Sequence, residues 1–159
     1  MSLAAVTAYE IGVFIHVLAV VVAFGATYAY PVFLTVAERT SPQSLPTVLR
    51  GMLKADRVLA TPGMVVILIA GLYLVADAGI SLGEPWISIG FLAIIVLFGL
   101  THGYFAPRTR EALALVERDL AAGGELSPEY HALSKRVGTV GQLAGLIVVV
   151  TIFFMVVKP

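Results

Sequence analysis

Residues 11–37 read IGVFIHVLAVVVAFGATYAYPVFLTVA, 27 residues without a charge, closed by the pair Glu38-Arg39. A helix rising 1.5 Å per residue needs about 20 apolar residues to cross a hydrocarbon core about 30 Å thick. This stretch is long enough to span a membrane with tilt, or to run on past the interface. Outward from it the pattern repeats. Charge-free windows at 58–76, 85–107 and 137–157 hold 19, 23 and 21 residues, and the four windows together cover 90 of the 159 residues.

The composition agrees. Hydrophobic residues make up 59% of the chain and charged ones 13%, where a soluble domain carries about 25% charged residues. Mean hydropathy is +0.97. The expected fold is all-α: a single integral membrane domain over 1–159, an up-and-down four-transmembrane-helix bundle with spans at about 9–36, 58–77, 86–106 and 138–157. The start of the chain has no Lys or Arg before its apolar run, and that run is far longer than a signal h-region, so it reads as a retained helix rather than a cleaved signal.

Charge distribution orients the bundle. With four spans, the segments 38–57 and 108–136 share one face. They hold Arg39, Arg50, Lys54, Arg57, Arg108, Arg110, Arg118, Lys135 and Arg136, nine of the ten basic residues, with only Lys158 opposite. By the positive-inside rule these are cytoplasmic loops of a multi-pass protein of the inner (plasma) membrane, with N- and C-termini outside. Tyr9 and Trp86 stand as anchors at the outer interface. Zero cysteines exclude disulfides, thiol nucleophiles and cysteine-held clusters. Zero net charge without basic blocks gives no reason to expect nucleic acid as a partner.

Proline and glycine punctuate the rest. Ser41-Pro42 and Leu45-Pro46 end the first helix. From Thr47 the spacing of Leu49, Met52, Leu53 and Leu59 predicts an amphipathic interfacial helix leading into span two, with a kink at Pro62-Gly63. Span three ends at Ala106-Pro107, and the mixed-charge RTREALALVERDL of 108–120 reads as a helical extension into the cytoplasm. Ser127-Pro128-Glu129 reads as the start of the last helix.

Candidate chemistry lies on few residues. His16 falls seven residues past Tyr9, roughly 10 Å below the outer interface. Lipid offers an ionisable group there no hydrogen bond, which marks a functional site by default. Gly12, Ala19, Ala23 and Ala26 at helical spacing let a helix or a flat ligand approach closely, with Tyr30 further along. His16 is therefore a candidate metal or haem ligand or proton carrier, and equally a neutral histidine bonded to a neighbouring helix.

His102, inside GLTHGYFAPR, lies near the cytoplasmic end of span three beside the Gly99/Gly103 pair, while His131 sits in a polar loop. His16 and His102 should differ by roughly 15 Å in depth, too far to clamp one iron. Arg57, Thr61, His102 and Arg108 are expected to gather at the cytoplasmic interface, where they suit phosphate or the propionates of a tetrapyrrole, or simply anchor in headgroups. Gly141 and Gly145 form another GxxxG pair for packing within the bundle or in a homodimer. Asp77 is the acidic residue that comes nearest to lying inside a span. The four methionines, Met1, Met52, Met64 and Met155, make no cluster that would suit copper.

These residues resemble a known group. IHVLAVVVAFGATYAYP, with His16, Phe24 and Pro31, looks like the first helix of the bacterial membrane-embedded protoporphyrinogen oxidases of the HemJ type. RVLATPGMVVILIAGLYL is similar to their second helix in Arg57, Pro62 and Gly71, and Trp86, His102 and the terminal VVKP continue the likeness. In that group the first-helix histidine is implicated in haem binding and catalysis, which the resemblance carries over to His16. Those oxidases place a lysine a few residues after the third-helix tryptophan, whereas WISIGF puts Gly90 about there. The integral membrane proteins of domain-of-unknown-function family 2269 resemble the chain better overall, with the same layout, and the copper-resistance D-type membrane proteins more distantly.

The expected function is binding of haem b or a related tetrapyrrole through His16, with His102 and Arg57 as further cofactor-binding candidates and a redox role. The alternative is a packing, partner or small-transport component of the bilayer with no cofactor.

Overall fold

A computed structural model describes residues 6–158. Among them, every regular element is helical. Helix α1 runs Ala8–Thr40 and is started by a reciprocal capping box, in which Thr7 and Glu10 satisfy each other's backbone N–H groups. A short 3₁₀ turn, Pro42–Ser44, leads to α2, Leu45–Ala55, and then α3, Thr61–Asp77. After the outer turn come α4, Pro85–Leu100, α5, Ala106–Ala122, and α6, Pro128–Val157. Ser127 caps α6 by accepting the Tyr130 N–H.

Four continuous helical rods result, Ala8–Thr40, Pro42–Asp77, Pro85–Ala122 and Pro128–Val157, each long and apolar enough to cross a membrane. Phe14, Val17, Phe33, Ile69, Leu92, Ile95 and Phe153 point outward with more than half their surface exposed. Such a belt is stable only against lipid.

The structure departs from the expectation at the prolines. The helix does run on past Ala106-Pro107 into the extension expected over 108–120, but it crosses neither Pro107 nor Pro62 as a simple kink. Instead the rods pass through two π-helical segments, Asp56–Ala60 and Thr101–Phe105, each followed by a residue and then a proline, Pro62 and Pro107. A proline ring clashes with the carbonyl four residues earlier. Here those carbonyls belong to Val58 and Gly103, inside the widened turns. Thr61 N–H instead reaches Asp56 O and Ala106 N–H reaches Thr101 O. The extra residue per turn absorbs the proline without ending the helix.

Two cores hold the rods together. The apolar half packs Ala19, Ala23, Met64, Ile67, Ile94, Leu97 and Val148. The charged half packs Ala37, Leu45, Leu49, Ala112, Leu115, Val116, Tyr130 and Leu133. The basic residues of α2, α5 and early α6 cluster at this second end, where Arg50 pairs with Glu117 and Arg118 with Glu129. At the opposite end Lys158 lies 5.0 Å over the Trp86 ring, and the Met155 methyl fills the space above Gly90. Pro159, from the VVKP likeness, and Met1 fall outside the described residues.

Candidate functional site

The sequence candidates do not converge. His16 is half-buried between α1 and α3, its Nδ1 3.1 Å from Ile67 O and its Cε1 facing Gly71. A carbonyl only accepts, so Nδ1 carries the proton and Nε2 is left as the acceptor nitrogen. His102 is exposed on the second π segment, with its Nε2 3.3 Å from Thr61 Oγ1 and its ring against Phe98. Along α3, Ile67 and Gly71 lie six to ten residues from Thr61, about 9–15 Å at helical rise. Of the expected basic-end group, only Thr61 and His102 meet. Arg108 is held by Glu111 at 2.6 Å, and Arg57 points outward with no ion-pair partner among the described residues. No group of three metal-ligating side chains occurs among the described residues.

What the helices do enclose is a cavity of about 700 Å³ between the two cores, walled by all four rods. Ligand pockets commonly measure about 300–1,000 Å³. Its apolar body is made by residues such as Phe24, Leu34, Leu97, Phe105 and Val148. Two carboxylates stand in its wall, each bound by tyrosine. Tyr130, itself 1% exposed, donates its hydroxyl to Glu38 at 2.7 Å, and Ser134 adds a second bond at 3.2 Å. Tyr30 donates to Asp56 at 3.1 Å. Arg108, Gln142 and Thr101 also border the space.

α1 and α6 frame a side opening to this cavity. At one end Tyr28 donates to Gly145 O at 2.9 Å, and at the other Tyr130 and Ser134 reach Glu38. Ten residues separate Tyr28 from Glu38, giving a window about 15 Å tall. Pro31, Leu34 and Thr35 line it from α1, and Gly138 and Gly141 from α6. A side chain at either glycine would meet nothing within 4 Å, whereas at Gly145 it would touch the Tyr28 ring. Gly145 therefore serves packing inside the chain, and Gly141 borders open space.

A family described as "Predicted integral membrane protein (DUF2269)" matches residues 11–159. The chain belongs to this family. No curated protein and no solved structure matches it. Membership establishes a multi-pass integral membrane protein of the lipid bilayer. It supplies no site residues for this DUF2269 chain, so the chemistry rests on the geometry.

Sequence reasoning passed over Glu38, Asp56, Tyr130, Ser134 and Gln142. Asp77, the acid expected nearest to a span but terminal to it, is indeed the exposed last residue of α3, with the Tyr73 hydroxyl 3.5 Å from its carboxylate. A usable signal did exist. Tyr30, Leu34 and Glu38 recur every four residues and so share one helix face, and all three line the cavity.

Proposed function

We propose that this protein is a membrane-embedded binding or transport component for an amphipathic small molecule, held in the cavity between the two cores. The window between α1 and α6 is the observation that carries this reading, because it joins an internal, mostly apolar space to the lipid-facing belt. A ligand dissolved in the bilayer would reach the cavity without crossing water. In this reading the basic end faces the cytoplasm of the inner (plasma) membrane and both termini lie outside, supported by the nine-to-one placement of Lys and Arg. The test is saturable binding of the neutral amphiphile Nile red to protein in lipid nanodiscs, corrected for empty discs. Gly138→Trp, which fills open space on the wall, should abolish the saturable component. No saturable binding, or binding unchanged in the filled variant, overturns the proposal.

A second reading, haem b bound through His16 with a redox role, is favoured by the Nδ1–H bond to Ile67. Histidine ligands are commonly oriented by such a bond, with the other nitrogen presented to the metal. Haem would supply one-electron chemistry, and Arg57 and His102 could serve its propionates only at the far, basic end. The cavity does not accommodate this arrangement: its nearest α1 residue is Phe24, eight residues from His16, or about 12 Å. A haem on His16 would therefore lie outside this cavity. Absorption of protein purified after expression with ample haem tests it. A Soret band lost in His16→Ala supports haem ligation, and its absence, or a band unchanged in that variant, overturns it.

A further inference from the structure

We infer that the molecule held in the cavity is a lipophilic cation whose positive head is recognised by Glu38 and Asp56; this rests on the cavity reading and adds the charge of its occupant. Three features of the wall lead there.

The first is the state of the two carboxylates. Both are half-buried, and none of the four ion pairs among the described residues includes either of them. Their hydrogen-bond partners are neutral hydroxyls: Tyr130 and Ser134 on Glu38, and Tyr30 on Asp56. Hydroxyls fix the position of a carboxylate without cancelling its charge. A carboxylate drawn away from water needs a counter-charge or must give up its own charge. The guanidinium on the lining, Arg108, does not supply one to either acid, being engaged by Glu111. His102 stands near enough to Asp56 for a charge on its ring to be felt by the carboxylate, but it forms no ion pair with it among the described residues; between them the Thr61 hydroxyl donates to the Asp56 backbone carbonyl at 2.8 Å and lies 3.3 Å from the His102 ring. An incoming cation would provide the missing charge.

The second feature is aromatic. Tyr30 and Tyr130, the residues holding the acids, line the cavity together with Tyr28 and Phe105. Ring faces attract ammonium and other soft cations, and the effect strengthens where water is excluded. Carboxylates and aromatic residues around one cavity favour a cation over an anion or a neutral molecule of the same shape.

The third is access. The window is bordered by Pro31, Leu34, Gly138 and Gly141, with exposed apolar side chains such as Val32, Phe33 and Leu143 beside it. A strongly hydrated ion would not enter by this route. A cation with a large apolar body would partition into lipid first and carry its charge in with it.

Two probes of the same shape and opposite charge decide the matter: tetraphenylphosphonium and tetraphenylborate, titrated into the full chain in nanodiscs of zwitterionic lipid at neutral pH, with Nile red as the neutral control. Tetraphenylphosphonium should bind saturably and tetraphenylborate should not. A phosphonium has no N–H to donate, so what an amide variant removes is the charge–charge attraction, which is strong where water is excluded, and a tenfold loss of affinity corresponds to about 1.4 kcal/mol. Glu38→Gln and Asp56→Asn, which keep an acceptor for their tyrosines, should therefore each weaken tetraphenylphosphonium at least about tenfold, and by far more than they weaken neutral Nile red. Equal binding of the two ions, or affinity unaltered in both amide variants, overturns the cation assignment. Should a variant fail to fold, the comparison of the two ions on the unmodified chain still decides. If Nile red binds saturably and tetraphenylphosphonium does not, the cavity reading survives and this inference fails. If neither binds, both fail.

Discussion

His16 Nδ1 lies 3.1 Å from the backbone carbonyl of Ile67, a single side-chain bond that ties α1 to α3 within the apolar half of the bundle. Around it the two helices touch through small residues. Gly12 lies against Tyr73 and Leu74, Gly63 against Ala23, and Gly71 against the imidazole itself. The bond and the close approach are linked, because a methyl at 71 would stand 3.2 Å from the ring's Cε1 and press it a few tenths of an ångström out of place.

His16→Ala should therefore lower stability whether or not a cofactor binds. Interhelical hydrogen bonds in membranes average about 0.6 kcal/mol, and truncating the ring adds lost packing, so a total of about 1–2 kcal/mol is expected. Reversible unfolding in mixed micelles measures it. A variant as stable as the parent would show that the bond contributes nothing.

The glycines should differ sharply from one another. A methyl at Gly63 would stand 2.8 Å from Ala23 Cβ and 3.1 Å from its Cα, atoms that no rotamer change can move. Gly63→Ala should cost about 1–3 kcal/mol, the usual range for overpacking. At Gly90 the obstacle is the Met155 methyl, the far end of a flexible side chain. Gly90→Ala should be close to neutral in the same unfolding measurement, and an equal loss at both positions would contradict the packing described.

Much of this architecture is legible in the sequence, and the reason is physical. Charges are so costly inside a bilayer that the stretches without them mark the spans, and the window 11–37 lies wholly inside α1. Ser127-Pro128 starts the last helix because side-chain capping and proline chemistry are local. The π segments were not legible, because Pro62 and Pro107 carry the same signal whether a helix breaks or widens. The cavity was hidden for another reason. Glu38 looks like a residue that ends a span, and only the approach of Tyr130, 92 positions away, turns it into a wall of an internal space. Distant pairing of this kind leaves no periodicity in a single chain.

Acid should loosen the turn between α5 and α6. Asp119 accepts the Ser127 backbone N–H at 2.8 Å and two bonds from Arg118. The Ser127 contacts foremost, with Arg118 assisting, hold its carboxyl below the ordinary aspartate value. A lowered folded-state pKa gives stability that is fully present above the unfolded value of about 3.9 and is lost as pH falls through the folded value. Thermal melts should therefore show an extra loss of stability below about pH 4. Asp119→Asn should be less stable at neutral pH and lack this acid-dependent part, and parallel pH profiles for the two proteins would refute the assignment.

The window between α1 and α6 makes a kinetic prediction. Its upper edge is the bond from Tyr28 to Gly145 O, and that carbonyl lies within α6, where the helix ladder also uses it. Removing the hydroxyl with Tyr28→Phe therefore leaves no orphaned group and should cost little stability, about 0.6 kcal/mol. It should, however, let the helices part more readily. Ligand exchange through the window would then speed up several-fold in both directions, with affinity nearly unchanged, because the bond does not touch the cavity's occupant. Gly141→Trp should act oppositely, since its side chain would project into open space at the rim and slow entry without perturbing the cores. Stopped-flow measurement of Nile red uptake into nanodisc-held protein reads both effects. If the two variants change the rates in the same direction, or not at all, the ligand does not travel between α1 and α6.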